Sequence, residues 1–180
     1  MSKKTIFIGF IGILTFSILF IPIMTYGDQY YDQYPGNSFV PQHSDSSCYR
    51  SSSNAYIYHA GTNDERYICP VNFNVPDGST YFIKSIGLRY LDDLTDGYVR
   101  VVLRRRNLYT AADNNVASWS SGEAFADANP LTASQGTTAG YKLVDTKKFS
   151  YWLYIDFYRS GDVSPGDNLM IYQIRVHYGT

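Results

Sequence analysis

Two stretches decide the fold: Tyr98-Val-Arg-Val-Val-Leu-Arg-Arg-Arg106 and Tyr151-Trp-Leu-Tyr-Ile-Asp-Phe-Tyr158. Successive side chains of a strand point to opposite faces. Val99, Val101 and Leu103 thus share one face while Arg100, Val102 and Arg104 share the other, and Leu153, Ile155 and Phe157 oppose Trp152, Tyr154, Asp156 and Tyr158. Alternation of period two, carried by β-branched and aromatic residues, marks a strand with one buried face. Ile86, Leu88 and Tyr90 oppose Ser85, Gly87 and Arg89 in the same way, and Tyr172, Ile174 and Val176 oppose Ile171, Gln173, Arg175 and His177.

Working outward from these four, the text breaks into short runs separated by Gly, Asp, Asn and Pro, the punctuation of antiparallel strands. The expected strands are Ala55–His59, Tyr67–Val75, Tyr81–Leu91, Tyr98–Arg106, Val116–Ser120, Tyr141–Thr146, Tyr151–Tyr158 and Leu169–Tyr178. Val75-Pro76-Asp77-Gly78 is a tight turn, with proline presetting one dihedral and glycine free to take a positive one. The Ala-, Ser-, Thr- and Gly-rich stretch 121–140 reads as loop. With no helical period between the strands, the fold class is all-β, an antiparallel two-sheet sandwich of jelly-roll type.

The start of the chain obeys another rule. Lys3 and Lys4 precede an almost wholly apolar run from Ile6 to Met24, and Thr25-Tyr26-Gly27 places small residues where signal peptidase cuts. Residues 1–27 are therefore expected to be a secretory signal, the alternative being an uncleaved anchor. Residues 28–53, rich in Tyr and Ser, read as a polar arm, and 54–180 as the sandwich domain. Loss of Lys3 and Lys4 lowers Lys plus Arg from 15 to 13 against an unchanged 16 acids, a net charge of −3 that gives no case for a nucleic-acid partner. The expected location is secreted, extracellular or periplasmic, with no membrane contact after cleavage. In that oxidising setting Cys48 and Cys69 are expected to form one disulfide, stabilising by about 3 kcal/mol in the chain-entropy model.

The run Cys69-Pro70-Val71, Val75-Pro76-Asp77-Gly78, Tyr90-x-Asp92 and Val99-x-Val-x-Leu-x-Arg, with its closing pair of strands, resembles a group of uncharacterised secreted bacterial β-sandwich domains. The resemblance implies the fold and no catalytic residues.

The chemistry that can be read from residues is mostly of binding. There is no G-x-S-x-G elbow, and the three histidines are scattered among His43, His59 and His177. Glu65 and Glu123, the only glutamates, make no pair suited to glycoside hydrolysis. No catalytic residue is assigned and no enzyme is expected. Asp156, set among aromatics, is expected to pair with an arginine on the neighbouring strand, such as Arg175. Asp92, Asp93 and Asp96 offer hard oxygens to a structural calcium, although without EF-hand spacing, and the plainer reading is a hairpin turn cornered at Asp96-Gly97.

The strongest functional lead is the polar face of the long strands. Were they all neighbours, Trp152, Tyr154 and Tyr158 would stand beside Arg100, Arg104, Gln173, Arg175 and His177 on one concave surface. Aromatic rings cover the apolar face of a sugar and flanking polar groups meet its hydroxyls. The sequence therefore points to a recognition module for glycan or another cell-surface ligand. The other reading is an assembly subunit, a homo-oligomer in which the arm 28–40 adds to a neighbour's sheet edge.

Overall fold

The computed structural model describes residues 29–42, 48–51, 56–59, 64–76, 79–94, 97–122, 127–138, 142–159 and 169–180. The expected signal segment lies outside them. No helix among the described residues is long and apolar enough to cross a membrane.

Twelve strands are seen among these residues: β1 (Gln29–Pro35), β2 (Val40–Pro41), β3 (Cys48–Ser51), β4 (Tyr56–His59), β5 (Glu65–Val71), β6 (Phe82–Asp92), β7 (Gly97–Asn107), β8 (Asp113–Ser120), β9 (Asp127–Gly136), β10 (Lys142–Leu143), β11 (Phe149–Arg159) and β12 (Leu169–Gly179). Each of the eight expected strands overlaps an observed one, although Tyr141–Thr146 shrinks to the two residues of β10 and Tyr67–Val75 is seen as Glu65–Val71; all pairings are antiparallel. The first sheet runs β3-β4-β12-β6, with β9 and β10 sharing the far side of β6 and β1 lying along β12 beyond β4. The second runs β2-β5-β11-β7-β8. Within this, β4-β12-β6-β9 and β5-β11-β7-β8 interleave eight strands as first-eighth-third-sixth and second-seventh-fourth-fifth. Two Greek keys wound in this order make a jelly roll.

The inner faces are the ones that the alternation assigns. Ile86, Leu88, Ile174 and Val176 from the first sheet meet Val99, Val101, Leu103, Leu153, Ile155 and Phe157 from the second, all buried. Strict alternation is broken at several bulges, and one of them changes the reading of a face: β12 slips register against β6 between Ile171 and Gln173. That bulge turns Ile171 inward together with Ile174 and leaves Tyr172 half-buried outside, reversing the faces expected for both residues. The stretch read as loop contains β9, ten residues long, against β6.

The described residues of the expected arm, 29–42 and 48–51, are built into the two sheets. β1 pairs with β12 from Gln29↔Gly179 to Pro35↔Gln173, Gly36–Ser38 makes a single 3-10 turn, and β2 then joins β5 in the other sheet. The chain crosses between sheets at this point, with Phe39 fully buried. The row of backbone groups of 29–35 that bonds β12 is not available to a neighbouring molecule, so arm addition at this segment could use only the outer row of β1.

The Cys48–Cys69 disulfide is also absent. Cys69 is a free buried thiol on the inner side of β5, bonded to the Pro70 carbonyl at 3.6 Å and lying 3.6 Å from the Ser38 hydroxyl, whereas Cys48 begins β3 in the opposite sheet. Sequence separation and compartment say nothing of whether two Cβ vectors face each other, which is what a disulfide requires. Burial raises the Cys69 thiol above its ordinary range. Iodoacetamide should accordingly leave Cys69 unlabelled in native protein and label it in denaturant without reductant; a peptide-mass cross-link between Cys48 and Cys69 would contradict this.

β1 is an edge strand among the described residues, and it carries a charge pointing inward. Asp32 lies opposite Val176, accepts a 3.3 Å hydrogen bond from the Tyr178 hydroxyl and keeps Oδ2 buried without a partner. An inward charge disfavours further strand pairing at an edge. Burial lifts the Asp32 carboxyl above its ordinary range, partly offset by the Tyr178 bond, and burial with the nearby Asp32 charge pushes the Tyr178 phenol up to about 12. A carboxyl raised in the folded state favours folding at low pH and loses that contribution as pH rises through its folded value. Asp32→Asn should therefore melt higher than wild type at neutral pH, with the gap closing in acid; a gap constant with pH would contradict the assignment.

Candidate functional site

The outer face of the second sheet is built in rows by the register of β11 with its two neighbours. Trp152 stands between Pro70 and Arg104, Tyr154 between Ile68 and Val102, and Asp156 between Arg66 and Arg100, with Tyr158 opposite Tyr98. All point outward because Leu153, Ile155 and Phe157 point into the core.

Tyr154 is not a free platform. At 6% exposure it packs between Ile68 and Val102, with the Arg66 guanidinium 4.5 Å and the Arg104 guanidinium 5.8 Å from its ring centroid. Both cations sit within the range of attraction to the ring face. The aromatic surface left to a ligand lies to either side. Trp152 is half-buried at one end, and at the other the Tyr98 and Tyr158 rings stack at 4.4 Å and 21°. Six residues separate Trp152 from Tyr158, about 20 Å along a strand.

Between them lies a charged band. Asp156, 4% exposed, pairs with Arg66 of β5, Nε to Oδ1 at 2.5 Å and Nη2 to Oδ2 at 3.2 Å. The expected arginine partner is present in kind, but on β5, since Arg175 belongs to the other sheet. Arg100, opposite Asp156 on β7, donates from Nε to the Ser118 hydroxyl at 3.4 Å. Beside Tyr158 the face opens into a recess of about 320 Å³ lined by Gln42, Asp64, Glu65, Arg66, Asp156 and Tyr158 together with Phe157. The Tyr67 hydroxyl donates to Glu65 there.

The eight residues expected on one surface are split between two. Trp152, Tyr154, Tyr158, Arg100 and Arg104 share the second sheet. Gln173, Arg175 and His177 stand on β12 in the first sheet, whose outer side faces away from it. The expectation assumed that all four long strands are neighbours, whereas the jelly roll pairs β6 with β12 and β7 with β11. Arg66, Tyr98 and Gln42 were not foreseen. Carrying the alternation of β5 back one residue from Tyr67, fully buried, places Arg66 outward, so the signal for that residue was present.

Of the acidic turn, Asp92 serves the fold. Asp92 is fully buried, accepts from the Leu94 amide at 3.3 Å and from the Ser121 hydroxyl, and so fastens the β6–β7 turn to the end of β8. Asp93 is half-buried and Asp96 lies outside the described residues. Among the described residues no three His, Cys, Asp or Glu side chains gather as a metal site.

No family model and no curated protein matches the chain. Several solved structures do. A family two carbohydrate esterase from Cellvibrio japonicus aligns with a TM-score of 0.42 and 7% identity over 86% of this chain and 34% of that one. The GH26-CBM35 β-(1,4)-mannanase of Podospora anserina gives 0.40 and 13% over 81% of this chain and 27% of that one. This chain thus spans about a third of the first of those chains and about a quarter of the second. The family 11 carbohydrate-binding module from Clostridium thermocellum, solved with a mixed-linked tetrasaccharide, gives 0.40 and 10% over 84% and 91%. Likenesses this loose concern the arrangement of strands and carry no weight for a ligand.

Proposed function

We propose that the protein is a secreted, non-catalytic recognition module that binds glycan across the outer face of its second sheet. The observation that carries this reading is the pairing of the stacked Tyr98 and Tyr158 rings with the adjoining recess. The rings offer flat apolar area, and Gln42, Asp64, Glu65 and the Arg66–Asp156 pair offer acceptors and donors within one sugar's reach. Trp152 extends the same face by about 20 Å, which suits a chain of sugars better than a single one.

Two of the three carboxylates that line the recess already serve protein donors. Hydrolysis needs two carboxyl groups, one of them able to exchange a proton with the substrate. Both Asp156 oxygens are held by Arg66, and Glu65 accepts from Tyr67.

A glycan array with purified protein tests this reading, followed by Trp152→Ala and Tyr158→Ala on the best ligand. Each variant should weaken binding by about tenfold or more, as truncation of an aromatic anchor does, with the melting temperature nearly unchanged. Wild-type protein that binds no glycan, or variants that bind as well as wild type, would overturn it.

A further inference from the structure

The outer face of the first sheet carries a different chemistry. Register places Thr132, Arg89 and Gln173 in one row, and Ser134, Gly87, Arg175 and Gln33 in the next. Arg89 and Arg175 are thus diagonal neighbours across β6 and β12, close enough for both guanidiniums to reach one small group between them. Their floor is Gly87, and together with Leu88, Thr132, Ala133 and Gln173 these residues line a groove of about 260 Å³.

Three observations make this a built site. First, no acid lines the groove, and neither arginine has an ion-pair partner among the described residues. The groove therefore presents two cations with no protein counter-charge to an incoming anion. Second, the side chains are positioned in advance. Arg175 donates from Nε to Gln173 at 3.2 Å, Gln173 donates to Gln33 at 2.7 Å, and Arg89 lies 5.5 Å from the Tyr172 ring centroid.

The third observation is the glycine itself. A Cβ on Gly87 would meet only the Ala133 carbonyl and the Arg175 Cβ, both at an ordinary 3.9 Å. The fold therefore does not require glycine there, although glycine weakens a strand interior. What its missing side chain does provide is the depth of the groove, and close approach of a ligand is a common reason for a mid-strand glycine.

We propose that this groove is a second binding site, for the carboxylate of a uronic-acid glycan. Arg89 and Arg175 would take the carboxylate in their planar forks, and the Gln33, Gln173 and Thr132 side chains would meet neighbouring hydroxyls. The site is separate from the Trp152 face and does not depend on it.

Titration of the protein with a short oligogalacturonate tests this, beside its methyl ester and inorganic sulfate. Saturable binding is expected that esterification, Arg89→Ala, Arg175→Ala and the groove-filling Gly87→Leu each weaken by about tenfold or more, the scale of a lost charge-assisted contact. Nuclear magnetic resonance shifts caused by the oligogalacturonate should fall at residues 87–89 and 173–175 and not depend on Trp152 or Tyr158, which separates this site from the aromatic face. Absence of binding, equal affinity for the ester, or binding that survives both arginine variants would overturn the proposal. Sulfate binding as tightly as the oligosaccharide would likewise overturn the glycan assignment.

Discussion

Gly36→Ala is expected to destabilise the protein by about 3 kcal/mol or more, the upper range for forced overpacking. An added Cβ would lie 2.1 Å from the Ile171 carbonyl oxygen, 2.4 Å from the Ile57 amide nitrogen and 2.8 Å from the Tyr56 carbonyl carbon. All three are backbone atoms of β12 and β4, so no rotamer change relieves the clash. The damage should spread from there, because Gly36 is where the chain leaves the edge of the first sheet for the second, between Tyr34, packed on the core, and fully buried Phe39. Denaturant unfolding measures the loss, and a thermal midpoint lower by roughly 6 to 12 °C would accompany it. Hydrogen exchange should show 29–35 losing protection first. An alanine variant as stable as wild type would mean that the chain does not cross at this point.

Asp92→Ala should cost about 3 kcal/mol, since it strands two donors at a fully buried position. The Leu94 amide loses its acceptor within the turn. The Ser121 hydroxyl, which also accepts from the Val99 amide at 3.0 Å, loses the group that orients it. One carboxylate thus links the end of β6, the start of β7 and the end of β8. Added calcium should leave the wild-type melting temperature unchanged, because the Asp92 oxygens already serve protein donors. A melting temperature raised by calcium, with the rise lost in Asp92→Ala, would restore the metal reading of this turn.

These two residues mark where sequence reading stops. β6, β7, β11 and β12 were legible because each is long, has one core face and one wetter face, and so alternates over many residues. β1 and β9 were not. Gln29–Pro35 and Asp127–Gly136 flank the sheets, carry few aliphatic residues, and draw their pairing from β12 and β6 rather than from their own pattern. The importance of Gly36 is equally invisible locally, since it rests on backbone contributed by β4 and β12.

The binding face shows the same limit in another form. That Trp152, Tyr154 and Tyr158 share a side follows from period two alone. Which strands flank them is a property of topology, and the order β5-β11-β7 brings Arg66, Tyr98 and Arg104 to that face while carrying Gln173, Arg175 and His177 to the other side. Tyr154 illustrates the difference in function: outward by alternation, it is enclosed by two guanidiniums and two aliphatic neighbours that no local reading brings together. Asp156 asked for an arginine, and topology chose Arg66.

The most direct test of the account is an amide and indole nuclear magnetic resonance titration with the glycan that the array selects. Shifts at the Trp152 indole, the Tyr98 and Tyr158 amides and residues 64–66, with none at 85–89 for a neutral ligand, are the predicted result. Shifts confined to the first sheet, or none at Trp152 and Tyr158 at saturation, would contradict it.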